Sequence, residues 1–183
     1  MNFFIFHGTG GRPEENFFPW IKNELEKLGH MVNVPQLPDA DKPDFDKWFN
    51  FLEKYEKDFG LDTVLIGHSL GGAVLLRELE KIPNKVKAAF IIAAPIGVSI
   101  TKYYETDKPF IAHPFDWNKI KNSAEKFVVF HSDNDPFVQL INGQELAKNL
   151  GIELTFVLNA GHFNTAAGYA KFELLLQKIK EVI

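Results

Sequence analysis

The segment "VLIGHSLGG", residues 64 to 72, sets Ser69 between Gly67 and Gly71. That is the G-x-S-x-G spacing of a nucleophile carried on a sharp strand-to-helix turn. Side chains flanking so tight a turn would collide, which accounts for glycine two before and two after the serine. A serine hydroxyl is a weak nucleophile at neutral pH, so this chemistry needs a base for its proton and an acid to orient the base. Both candidates follow in the order serine, acid, histidine. "HSDNDPFVQ" offers Asp133 and Asp135, and "NAGHFN" offers His162, whose two ring nitrogens can serve a serine and an aspartate at once. The bland alternative for His162, a loop histidine bonded to backbone, is the weaker reading even taken alone and recedes further once Ser69 and the aspartates are counted with it. Pro136 biases Asp135 to extended backbone, whereas Asp133 suits an Asx-type cap within its own turn. His7 opens "HGTGG", a glycine turn able to swing a backbone N–H towards an acyl oxygen beside the serine. The amides of Leu70 and Thr9 are therefore the expected oxyanion donors. The remaining histidines, His30, His68, His113 and His131, read as structural.

Two other uses of these motifs fail on spacing. A dinucleotide fingerprint would need glycine where Pro13 stands, and a calcium loop would need glycine where Val138 stands. No H-E-x-x-H occurs and the chain has no cysteine, so neither a metal nor a cofactor is expected.

Residues of this kind must be held by something, and the rest of the chain supplies it. Apolar runs alternate with helical patterns, the signature of βαβ units and a mostly parallel sheet with helices on both faces. Six strands are expected: "NFFIF", "MVNVP", "TVLIG", "VKAAFIIAA", "KFVVFHS" and "ELTFVLN". Several are nearly continuous hydrophobic runs, as strands covered on both faces must be. Between them Ile21, Leu25 and Leu28, then Phe45, Trp48, Leu52 and Tyr55, then Val74, Leu75, Leu79 and Ile82 recur at helical spacing and predict sheet-facing stripes. Gly29, Gly60 and Pro83 stop these helices, and two more are expected over 146–150 and 172–183. Residues 95–120 have no sustained period and read as a long irregular loop or small lid within a single domain, 1–183. In this arrangement "TVLI" ends a buried strand, "GGAVLLREL" begins a helix, and Ser69 sits at the junction with the helix dipole behind it.

The 183 residues carry a net charge of −4 with no basic stripe along a helix, which argues against a nucleic-acid partner. No run approaches the ~20 apolar residues of a membrane span, and "MNFFIFHGTGG" lacks the basic region of a signal peptide. A cytoplasmic location is the default expectation. Aromatic rings cluster after the glycine turn and in the irregular segment, so Phe17, Phe18, Tyr103 and Phe110 are candidates to line an acyl pocket.

"HGTGG", "WIKNELEKLGH", "GHSLGG", "PFDWNKIK", "DNDPFV" and "AGHF" together resemble the small α/β-hydrolase-fold serine hydrolases related to retinoblastoma-binding protein 9 and YdeN. The resemblance spans nearly the whole chain. It implies a minimal α/β hydrolase with little or no cap, Ser69, Asp135 and His162 at the triad positions, and esterase-like or amidase-like action on a small acyl substrate. The D-x-x-V pattern in "DPFV" is what favours Asp135 as the acid. One departure limits the transfer: an L-x-C-x-E segment is impossible without cysteine, so a retinoblastoma-type partner is not expected. A non-catalytic interaction module on a hydrolase scaffold, or an acyltransferase with the same triad, are the alternative readings.

Overall fold

The structure is a computed structural model describing residues 1–183. Six strands, β1 (Asn2–Phe6), β2 (Met31–Asn33), β3 (Thr63–His68), β4 (Val86–Ile92), β5 (Ala124–Ser132) and β6 (Thr155–Val157), pair in the order β2-β1-β3-β4-β5-β6. Every pairing is parallel, so all the strand-to-helix loops gather at one edge of the sheet. Seven helices cover its faces: α1 (Phe18–Lys27), α2 (Phe45–Glu56), α3 (Leu70–Lys81), α4 (Tyr104–Ile111), α5 (Trp117–Asn122), α6 (Leu140–Leu150) and α7 (Glu173–Lys180).

The period-two geometry of a strand divides the apolar residues between two cores. Phe4, Phe6, Leu65, Ala89 and Val129 point to one face, where α2, α3, α4, α5 and α6 close over them. Phe3, Ile5, Val64, Ile66 and Phe90 point to the other, under α1 and α7. The continuous hydrophobic runs follow from this double coverage: all six residues of β3 are buried. The outer strands are shorter than their apolar runs. β2 ends at Asn33, and β6 spans only three residues, leaving Phe156 and Leu158 exposed at the sheet edge. Leu28 is also exposed; it follows α1 at the point where Gly29, with φ +82°, turns the chain away.

Residues 95–120, whose lack of period predicts a long irregular loop or small lid, carry two short helices. These are α4, which tolerates Pro109 inside it, and the single-turn-plus α5 capped by Asp116. Arg77 of α3 explains why a stretch with little helical pattern is ordered. Its guanidinium bonds the carbonyls of Phe110, His113 and Pro114 and lies 3.8 Å from the centre of the Phe115 ring. No helix is long and apolar enough to cross a membrane.

Candidate active site

Ser69 sits between β3 and α3 with φ +57° and ψ −131°, a backbone conformation that costs a non-glycine residue of order 1–3 kcal/mol. The surroundings enforce it. Ser69 donates its amide to Ile92 O at 2.9 Å and accepts from Gly72 N at 2.9 Å. The flanking glycines are required by close approach: a Cβ on Gly71 would lie 2.1 Å from Phe6 O, and one on Gly67 would lie 2.5 Å from Gly71 O. Helix α3 thus presses its first turn against the backbone of β1 and β3.

The acid and the histidine come from the loops after β5 and β6. His162 Nδ1 lies 2.7 Å from Asp135 Oδ2, and both side chains are almost wholly buried. The other carboxylate oxygen, Asp135 Oδ1, accepts from Phe137 N at 2.8 Å and Val138 N at 3.0 Å. A carboxylate so engaged accepts from Nδ1–H, which leaves Nε2 as the basic nitrogen. The side-chain hydrogen bond of His162 is made at Nδ1 and the bonds of Ser69 are made by its backbone, so Nε2 and Oγ are without protein partners, and both residues border one cavity of about 220 Å³. The loops themselves are stitched together. Ser132 Oγ, Asp133 Oδ1 and Asn134 Oδ1 accept in turn from the amides of Ala160, Asn159 and Gly161. Asp133 therefore does not cap its own turn; it bridges to the loop that carries His162.

The histidines flanking the site hold backbone. His68 Nε2 donates to His162 O at 2.7 Å, and burial, reinforced by the neighbouring imidazole of His162, pushes its pKa down to about 3. It is neutral at any ordinary pH. His7 accepts from Leu37 N at Nε2, 3.0 Å, so its Nδ1 carries the proton and donates to Gly8 O at 2.9 Å. Burial lowers its pKa as well. This bond shapes the glycine turn beside Ser69, where a Cβ on Gly8 would lie 2.7 Å from Ser69 Cβ and 3.1 Å from Leu70 N. Leu70 N opens α3 and has no acceptor in the helix, and Thr9 N has no acceptor in its turn. Two free amides thus flank the serine.

Of the rings expected to line a pocket, Phe18 and Tyr103 border the cavity and Phe17 and Phe110 do not. Phe17 is fully buried against Phe18, His68 and Phe172 in the α1/α7 core. Phe110 packs on Phe45, Trp48 and Phe49 in the other. Both rings are needed to close a core, and neither faces the solvent side of the sheet edge. In their place stand Phe137, edge-on to His162 and stacked on Tyr103, and the carboxyl of Asp107. Asp107 lies on α4, is 4% exposed and accepts from Thr101 Oγ1 at 2.6 Å. Burial raises its pKa. Nothing near it in the sequence has a motif to signal this; only the docking of residues 95–120 brings it to the site. Nowhere do three or more His, Asp or Glu side chains gather in a metal-holding group.

Comparison with known proteins agrees with the geometry. A family model described as serine hydrolase matches residues 3–181. The chain belongs to the serine hydrolase family. YdeN of Bacillus subtilis (strain 168) is 27% identical over 173 residues, covering 94% of this chain and 90% of YdeN. Serine hydrolase RBBP9 of Rattus norvegicus is 25% identical over 178 residues, covering 97% and 91%. The crystal structure of the B. subtilis ydeN gene product superposes with a TM-score of 0.94 at 23% identity, over 99% of this chain and 97% of that one. Est1E of Butyrivibrio proteoclasticus, solved with ferulic acid bound, gives 0.69 at 17% identity, over 98% and 89%. The fold is that of the α/β hydrolases, with an all-parallel six-stranded sheet, and the protein is an enzyme of the serine hydrolase type.

Proposed function

We propose that this enzyme cleaves short acyl esters, and amides of similar size, through a covalent acyl-enzyme formed on Ser69. The observation that carries this reading is the buried 2.7 Å pair of His162 Nδ1 and Asp135 Oδ2, with Ser69 bordering the same cavity. Ser69 Oγ attacks the substrate carbonyl carbon while His162 Nε2 takes the hydroxyl proton. The negative oxygen of the tetrahedral intermediate is met by the amides of Leu70 and Thr9, with the positive end of α3 behind the first. As the carbon–oxygen or carbon–nitrogen bond breaks, the imidazolium returns its proton to the leaving group. Water then attacks the acyl carbon, giving a proton to Nε2; the bond from that carbon to Ser69 Oγ breaks, Oγ takes the proton back from the imidazolium, and the acid departs. Asp135 holds the tautomer and stabilises the imidazolium without itself taking the proton.

Turnover of a short aryl ester tests this directly. Ser69→Ala is expected to lower kcat by ~10⁴-fold or more with the fold intact. A folded Ser69→Ala protein that retains turnover within tenfold of wild type would place the nucleophile elsewhere.

A further inference from the structure

The wall of the cavity contributed by α4 is not suited to a plain hydrocarbon. Asp107 is nearly buried yet has one hydrogen bond from the protein, Thr101 Oγ1 to Oδ2. Its other oxygen, Oδ1, has no protein donor and is not sealed off, because Asp107 borders the cavity shared by Ser69 and His162. The buried hydroxyl of Thr9 faces the same carboxyl and favours its ionised form, but it is sealed from the cavity and is a neighbour of Asp107 rather than a ligand contact. A carboxylate can accept about four hydrogen bonds, and buried polar groups are nearly always paired. An under-satisfied carboxylate on the wall of a small cavity is the mark of a site completed by its ligand.

We infer that Asp107 is a specificity-determining residue that selects acyl groups carrying a hydrogen-bond donor, a hydroxyl or an ammonium, a few atoms from the scissile carbonyl. This rests on the serine hydrolase reading of the same site. An unsubstituted alkyl group seated there would strip water from the carboxyl and return nothing, whereas a hydroxyl or ammonium would replace the lost water with a direct bond. Rejection of a substrate that leaves a buried polar group unpaired is sharper than rejection by shape alone.

The test uses three aryl esters of matched size, the propanoate, the 2-hydroxypropanoate and the 2-aminopropanoate, with a 3-hydroxypropanoate to allow for reach. Each kcat/KM is divided by the uncatalysed hydrolysis rate of that ester, so intrinsic reactivity cancels. At least one donor-bearing ester is expected to exceed the propanoate by about tenfold or more in wild type, a ratio corresponding to one unpaired buried polar group. In Asp107→Leu the ratio is expected to collapse to within about threefold of one. Asp107→Asn keeps the size and an acceptor but removes the charge. It is expected to lose preference for the ammonium ester more than for the hydroxyl esters, which distinguishes the two donors even if the leucine variant does not fold. A wild-type ratio near one overturns the inference. So does a uniform fall in all four esters with ratios unchanged, which would make Asp107 a positioning residue for the glycine turn. Covalent labelling of Ser69 is scored separately, so loss of this preference and loss of the serine mechanism cannot be confused.

Discussion

A carboxylate fixes an imidazole tautomer only if it is itself fixed, and Asp135 is held at both oxygens, by the amides of Phe137 and Val138 on one and His162 on the other. Asp133, two residues away, spends its carboxylate on Asn159 N. The two aspartates should therefore respond differently to the same change. Asp135→Asn replaces an acceptor with a group that can donate to Nδ1, stabilising the wrong tautomer, and kcat for an aryl ester should fall by about 10⁴-fold. In Asp133→Asn an amide oxygen still accepts from Asn159 N, and kcat should stay within about tenfold, since neutral acceptors replace charged ones at a cost near 1 kcal/mol. Measured on proteins of matched melting temperature, a larger loss in Asp133→Asn would reverse the roles. Ser69 and His162 were legible because glycine spacing and loop position are local properties of sequence. Asp107, Phe137 and Arg77 were not, because each acquires its role from a segment that packs against it from elsewhere in the chain.

Helix α3 carries the nucleophile at its first turn and a buried liability near its last. Glu78 has no exposed surface, neither carboxyl oxygen is hydrogen-bonded, and Lys81 Nζ, at 3.9 Å, is already paired with Glu56 at 2.8 Å. Burial, against a smaller opposing pull from Lys81, pushes its pKa up to about 8. Below about pH 4.5 Glu78 is protonated in both folded and unfolded chains and contributes no pH dependence to stability. Above that, the unfolded chain releases the proton and the folded one keeps it until about pH 8. Stability is therefore lost across this window as pH rises, by up to ~1.4 kcal/mol per pH unit. Glu78→Gln removes the ionisation. Its melting temperature should exceed wild type by ~4 °C or more at pH 8, with the gap closing towards pH 4.5. Thermal melts at pH 4.5, 6 and 8 would contradict this if the variant were equal or less stable at pH 8. The helical stripe of α3 is plain in the sequence, and Glu78, four residues after Val74 and four before Ile82, lies on it by spacing; what the sequence does not show is that no donor meets its carboxyl there. The docked helices α4 and α5 escaped for a related reason: Pro109 and short length erase periodicity, and Arg77 supplies from outside what the segment lacks.

At the scale of the whole molecule, the parallel order of strands is what brings loops after β1, β3, β5 and β6 to one edge, and the alternation of apolar runs with helical stripes was sufficient to anticipate it. Lengths at the edges were overestimated, because an apolar run such as "ELTFVLN" does not reveal how far a partner strand extends. From residues 95–120 only Thr101, Tyr103 and Asp107 reach the site, and the cavity of about 220 Å³ is below the 300–1,000 Å³ typical of drug-sized ligands. In a series of aryl esters the rate should peak at acyl chains of about two to four carbons and fall by about tenfold or more by eight, with no effect of chelator. A maximum at long chains, or inactivation on chelation, would contradict the site as described. The acyl-enzyme mechanism depends on Ser69 being a nucleophile rather than a strained turn residue, and one measurement addresses that most directly: treat the folded protein with an organophosphonate probe, digest it and locate the adduct by mass spectrometry. One stoichiometric adduct is expected on the peptide containing Ser69, absent in Ser69→Ala and slowed by ~10³-fold or more in His162→Ala. A folded wild-type protein that remains unmodified, or an adduct at another residue, would contradict it.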